Sequence, residues 1–216
     1  LTEKLRQSAD HIWSAILEHP FVVELYSGTL PFEKFKYYVI QDYNYLITMY
    51  KCFSLIASKA EYKLARKMLE LAYIEATTEM ANYERLLNKL GMRLEDVIRA
   101  EPAPTNTAYM NFLLTTCALG SSLEGLISLL PCFWSYAEIA LKHRDKLENN
   151  KNKIYIEWAR VYTTREYLDL VNELRAFIDD LGDQMSFSRL KNIFLIASRY
   201  EYMFWNMAYN MEKWPI

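Results

Sequence analysis

The apolar residues of this chain recur at intervals of three and four, and no stretch alternates convincingly at two. That period belongs to helices and leaves no segment for a strand. The breaks are few: the 216 residues hold only 5 Gly and 6 Pro. They cluster at Gly28 to Pro31, at Gly91, at Pro102 and Pro104, and at Gly182. Glycine and proline are where a helix ends most cheaply. The pattern predicts helices over 2–18, 31–58, 61–90, 93–99, 106–119, 121–148, 152–162, 164–181 and 186–211. Several run well past the average helix length of about 11 residues. Long helices joined by short links predict an all-α bundle, and without a linker or repeat the chain reads as one domain over 1–216.

The composition, 52% apolar and 24% charged, is that of a folded globular protein. A net charge of −2 with no basic block gives nucleic acid nothing to bind. The longest apolar run, Leu126 to Trp134, falls far short of the ~20 residues of a membrane span. No signal-peptide pattern opens the sequence, and the 3 cysteines show no CxxC spacing, so a reduced cytoplasmic setting is expected. His11, His19 and His143 are too scattered to form a metal cluster. Glu75 and Glu79 lie one turn apart, but the Glu-x-x-His motif of a carboxylate metal bundle is absent. Seventeen Tyr and 5 Trp are unusually many, and fit either aromatic packing or a pocket for a flat ligand.

Three positions break the amphipathic rule. Asp42 sits inside the stripe Phe35, Tyr38, Val39, Tyr45, Leu46, Met49 and Phe53. A carboxylate buried there costs several kcal/mol unless it is bonded. Tyr38 and Tyr45 lie within one turn, so Asp42 is either structural or bound to the polar edge of a ligand. Glu201 sits likewise among Leu190, Phe194, Ala197, Phe204 and Ala208, with no cation at i±4. An unpaired buried acid has a raised pKa, which suits proton transfer near neutral pH; pairing with Arg66 or Arg160 from another helix is the structural alternative. Cys132 follows Pro131 in a helical pattern, where a kink is expected, and Glu124, Ser128 and Tyr136 share its row. It is either a reactive thiol or a small packing residue. Cys52 and Cys117 lack such a setting and read as packing.

QDYNYL (41–46), LLPCFW (129–134) and YEYMFWNMAY (200–209) resemble the signature stretches of the TenA/thiaminase II family. HPFV (19–22), FKYYVIQD (35–42), PTNTAYMNFLL (104–114) and EWARVY (157–162) fit in order, so the resemblance spans the chain. It implies a haem-oxygenase-like helical bundle, assembled as a homotetramer. It further implies hydrolysis at the aminomethyl carbon of 4-amino-2-methylpyrimidines, including thiamin and 4-amino-5-aminomethyl-2-methylpyrimidine, with no metal or organic cofactor. Carried over by position, Cys132 would add to the ring and Glu201 would manage protons. Asp42 would hold the ring nitrogen and exocyclic amine. Tyr45, Tyr136 and Tyr162 would shape the site, and Tyr109 and Phe204 would stack on the ring. The chain departs from the family at TTREY after Tyr162 and at Met110 and Phe112, which the resemblance places near the leaving group. Other readings are a non-catalytic pyrimidine-binding or regulatory protein, or another enzyme of the same fold such as a pyrroloquinoline quinone synthesis protein. The former would not need both Cys132 and Glu201, and the latter would need a basic or His-rich pocket.

Overall fold

Three long helices carry the three anomalous residues: α4 (Phe32–Ala57), α9 (Ser122–Lys142) and α13 (Phe187–Asn210). The structure, a computed structural model, describes residues 1–182 and 186–216. The remaining helices are α1 (Thr2–Ser8), α2 (Asp10–Leu17), α3 (Pro20–Ser27), α5 (Tyr62–Ile74), α6 (Met80–Leu90), α7 (Leu94–Ile98), α8 (Pro104–Leu119), α10 (Arg144–Asn149), α11 (Lys153–Arg160) and α12 (Arg165–Leu181). No strand occurs among the described residues, and no helix there is long and apolar enough to cross a membrane.

Local chemistry fixes where these helices begin. A capping box opens α9: the Ser121 hydroxyl accepts from the Glu124 N–H (3.2 Å), and Glu124 accepts from the Ser121 N–H (2.7 Å). This anchors the rotational register in which Cys132 lies eleven residues after Ser121. Helix α9 runs uninterrupted through Pro131. A Cβ on Gly125 would stand 2.7 Å from Ile56 Cγ1, so the missing side chain lets α9 approach α4 closely. Helix α13 packs against α9, α8, α4, α2 and α3, which makes it the axis of the core. Aromatic side chains fill that core. Tyr38 stacks on Trp205 (5.6 Å, 10°), Trp13 stacks on Phe194 (5.9 Å, 11°), and the Trp13 indole donates to Ser198 Oγ at 2.9 Å. Each such fully buried ring is worth about 2–3 kcal/mol of apolar burial.

The structure corrects four boundaries. The expected helix 2–18 is divided at Ala9, whose ψ of 7° ends one run and starts another. Segment 121–148 is divided at His143, which bonds the Leu17 carbonyl at 2.7 Å. Helix α3 was not expected. Its signals are Pro20 in the first turn, the His19 ring accepting from the Phe21 N–H, and Gly28 left-handed at its end (φ 82°). Segment 61–90 is continuous, but a π-helical turn, Glu75–Glu79, separates α5 from α6.

Candidate active site

The spacing of α4 sets Tyr38, Asp42 and Tyr45 along one face, at i, i+4 and i+7. Cys132 and Tyr136 share a face of α9, and Glu201 and Phe204 a face of α13. Helix α8 adds Tyr109. These faces converge on a narrow inner recess. Asp42, Cys132 and Glu201 line it, together with Tyr45, Tyr109, Tyr136 and Phe204. Beside the recess lies an outer chamber of about 180 Å³, whose wall shares Asp42, Tyr45, Cys132 and Tyr136 with it. Tyr162 is not in the inner recess. It borders the chamber and a cleft of about 290 Å³ beyond it, with its ring 4.9 Å from Tyr136 and 5.1 Å from Tyr167.

Glu201 is buried and takes part in no ion pair among the described residues; Arg66 and Arg160 are both exposed. Its partner is Tyr109, whose hydroxyl donates to Oε1 at 2.5 Å. Burial pushes the Glu201 carboxyl up to about 7; the Tyr109 bond works against that, and the Asp42 charge adds to it. Asp42 is likewise pushed up to about 7, first by burial and then by Glu79. Burial and the Glu201 charge push the Cys132 thiol well above its ordinary value. The thiol is therefore protonated at rest and needs a base when it reacts. Tyr45 Oη stands beside it, buried and without a hydrogen-bond partner of good geometry.

Tyr109 is wholly buried, and Tyr200 stacks on its ring (5.0 Å, 10°). Tyr200 thus covers one face of the ring, and the hydroxyl holds Glu201 while Tyr109 lines the recess. In Tyr109→Phe the Glu201 carboxyl loses the bond that favours its charged form, so it should titrate above 7 when followed by carboxyl-carbon NMR. An unchanged titration would deny Tyr109 that role.

Tyr38, Glu75, Glu79 and Tyr167 line the chamber but were not among the expected site residues. Tyr38 and Tyr136 share a hydrogen bond (3.1 Å), and Tyr167 donates to the carbonyl of Phe133, next to Cys132 (3.0 Å). Glu75 did carry a signal: it falls on the buried stripe Leu64, Met68, Leu71, as Asp42 does on its own. Phe112 and Thr163 line neither recess nor chamber. Phe112 packs on Tyr200 (5.4 Å), and Thr163 bonds the Arg160 carbonyl (3.1 Å). Cys52 and Cys117 are fully buried in the core, away from both spaces.

Residues 6–211 match the TENA/THI-4/PQQC family. A protein of Halalkalibacterium halodurans named aminopyrimidine aminohydrolase is 33% identical, over 97% of this chain and 96% of its own. A solved structure, described as a TenA homologue protein from P. horikoshii OT3, is 53% identical with a TM-score of 0.94, over 97% of this chain and 98% of that one. A domain from Shewanella denitrificans with a haem-oxygenase-like fold superposes with a TM-score of 0.75 at 15% identity, over 98% and 91% of the two chains, a likeness of fold alone.

Proposed function

The chain belongs to the TENA/THI-4/PQQC family, and from that premise we propose that it is an aminopyrimidine aminohydrolase of thiamin salvage, acting at the aminomethyl carbon of 4-amino-2-methylpyrimidines. The observation that carries the reading is the convergence of Cys132, Glu201 and Asp42 on one recess, with both carboxyls raised to about 7. An acid and a base that exchange roles within one cycle work best near the operating pH.

An aromatic CH₂ does not release a substituent until the ring loses its aromaticity. In the proposed cycle Asp42 holds the ring nitrogen and exocyclic amine. Cys132 Sγ bonds to a ring carbon, and the thiol proton passes through Glu201 to the ring nitrogen. The electron pair gained by the ring then forms an exocyclic double bond and expels the substituent, which, bound as an ammonium, leaves as ammonia. Water adds to the exocyclic carbon and gives a proton to Glu201, which releases it to solvent. The S–C bond breaks, the ring nitrogen returns its proton to the sulfur, and the aromatic ring and the thiol are restored. Tyr45, Tyr136 and Phe204 enclose the ring, and Tyr109 positions Glu201. No step calls for a metal or organic cofactor.

We take the working unit to be a cytoplasmic homotetramer that binds a small molecule and no nucleic acid. Exposed Tyr62, Leu69, Tyr73 and Leu119 support an interface, and free cysteines fit a reducing compartment. The test is incubation of the purified chain with 4-amino-5-aminomethyl-2-methylpyrimidine and, separately, with thiamin. The hydroxymethylpyrimidine should accumulate with the aminomethyl compound, thiamin, or both. If folded protein released it from neither, the pyrimidine-binding reading would replace the enzyme.

A further inference from the structure

The outer chamber holds more carboxyl groups than the chemistry above uses. Glu75 borders it and is only 9% exposed. Its carboxylate has no hydrogen bond or ion pair among the described residues. Glu79, one turn on, borders both the chamber and the outer cleft. Both lie on the π-helical turn, whose extra residue per turn alters the direction of side chains relative to a regular helix. The titratable groups that share the chamber with Glu75 and Glu79 are Asp42, Cys132 and the phenols of Tyr38, Tyr45, Tyr136, Tyr162 and Tyr167; no lysine or arginine lines it. Two basic groups, Arg85 and Lys89, stand in the outer cleft, where Arg85 bonds Asn82 and Lys89 pairs with Glu157. A native protein rarely keeps a buried acid without a partner, so Glu75 points to one supplied by a ligand. Among the described residues no three of these acids converge as metal ligands would, which leaves an organic cation as the complement.

We propose that Glu75, with Glu79 at the entrance, is the subsite for the positive charge of the substrate's leaving group, so that the enzyme takes cationic aminopyrimidines in preference to neutral ones. This rests on the reaction proposed above. The 5-aminomethyl substituent is an ammonium near neutral pH, and the thiazolium of thiamin is a permanent cation. The hydroxymethyl product is neutral. Charge attraction thus holds the bound substrate once Glu75 has given up its proton, and lapses when the leaving group is gone, which favours product release. Burial and the neighbouring acids push Glu75 up to about 8 in the empty chamber. A cation placed beside it reverses that balance, so substrate binding displaces a proton to solvent.

The experiment measures calorimetric affinity for the 5-aminomethyl and the 5-hydroxymethyl pyrimidine at pH 7.5, in Cys132→Ser protein to prevent turnover. Glu75→Gln, on that background, should weaken the ammonium compound about tenfold or more and the neutral one by no more than about twofold. It should also lessen the proton release seen when the titration is repeated in buffers of different ionisation enthalpy. Glu79→Gln should act in the same direction, by about threefold, and decides the matter if Glu75→Gln does not fold. Equal weakening of both compounds, or none, would overturn the subsite. Turnover by the Cys132 protein is scored separately. A chain that hydrolyses neither pyrimidine refutes the reaction, whereas one that turns over but lacks the selective loss refutes only the subsite.

Discussion

Cys132→Ser is expected to stop release of the hydroxymethylpyrimidine, lowering kcat by roughly 10³-fold or more, while substrate still binds within about threefold of the parent. The reason lies in the pKa. The Cys132 thiol is already pushed well above its ordinary value by burial and by the Glu201 charge. A carboxyl at about 7 can still draw a proton from a thiol engaged in bonding to the ring. It cannot draw one from a hydroxyl, whose intrinsic pKa is several units higher. Serine nearly matches cysteine in size, so the aromatic walls from Tyr45 and Tyr136 are retained and binding survives. Rapid-quench product analysis measures the first effect and calorimetry the second. Normal turnover by the serine variant would remove Cys132 from the role of nucleophile.

Glu201→Gln separates activity from stability. Activity should fall by roughly 10²–10⁴-fold, because the amide keeps the shape but neither gives nor takes a proton. Stability should change the other way at alkaline pH. The folded-state pKa of Glu201, about 7, lies above its ordinary 4.5. Between those values the native protein binds more protons than the unfolded chain, so the contribution is fully present below 4.5 and is lost as pH rises through 7. That difference corresponds to about 2–3 kcal/mol, discounted for the coupling of Glu201 to Asp42. Glutamine removes the penalty and keeps an oxygen to accept from Tyr109. The variant should therefore melt roughly 4–8 °C above the parent at pH 8 and about equal to it at pH 4.5. Thermal scans at the two pH values check this. A variant less stable at pH 8 would mean that Glu201 is charged and well satisfied in the fold.

That trade describes the site as a whole. Asp42, Glu75 and Glu201 all hold carboxyls in surroundings that disfavour their charge. A bundle selected only for stability would have apolar residues at these positions. Their presence on buried stripes was the legible trace of function, since an acid in the interior needs a reason that packing does not provide.

The sequence by itself determined that the chain is helical, because a period of three and four permits nothing else over such lengths. It determined which face of α4, α9 and α13 turns inward, and so exposed Asp42, Cys132 and Glu201 as misfits. Local signals would also have given α3, through Pro20 and Gly28. Tertiary structure alone decided which inward faces meet. It set Tyr109 on Glu201 and moved Tyr162 out to the chamber. It made the unpartnered Glu75 part of the same cavity as Cys132, and left Phe112 and Thr163 outside it. The physical reason is that periodicity records how a helix is turned toward a core, not which helix stands opposite. That pairing depends on close approaches such as Gly125 against Ile56, and on breaks such as Ala9 and His143, which only the assembled packing makes favourable.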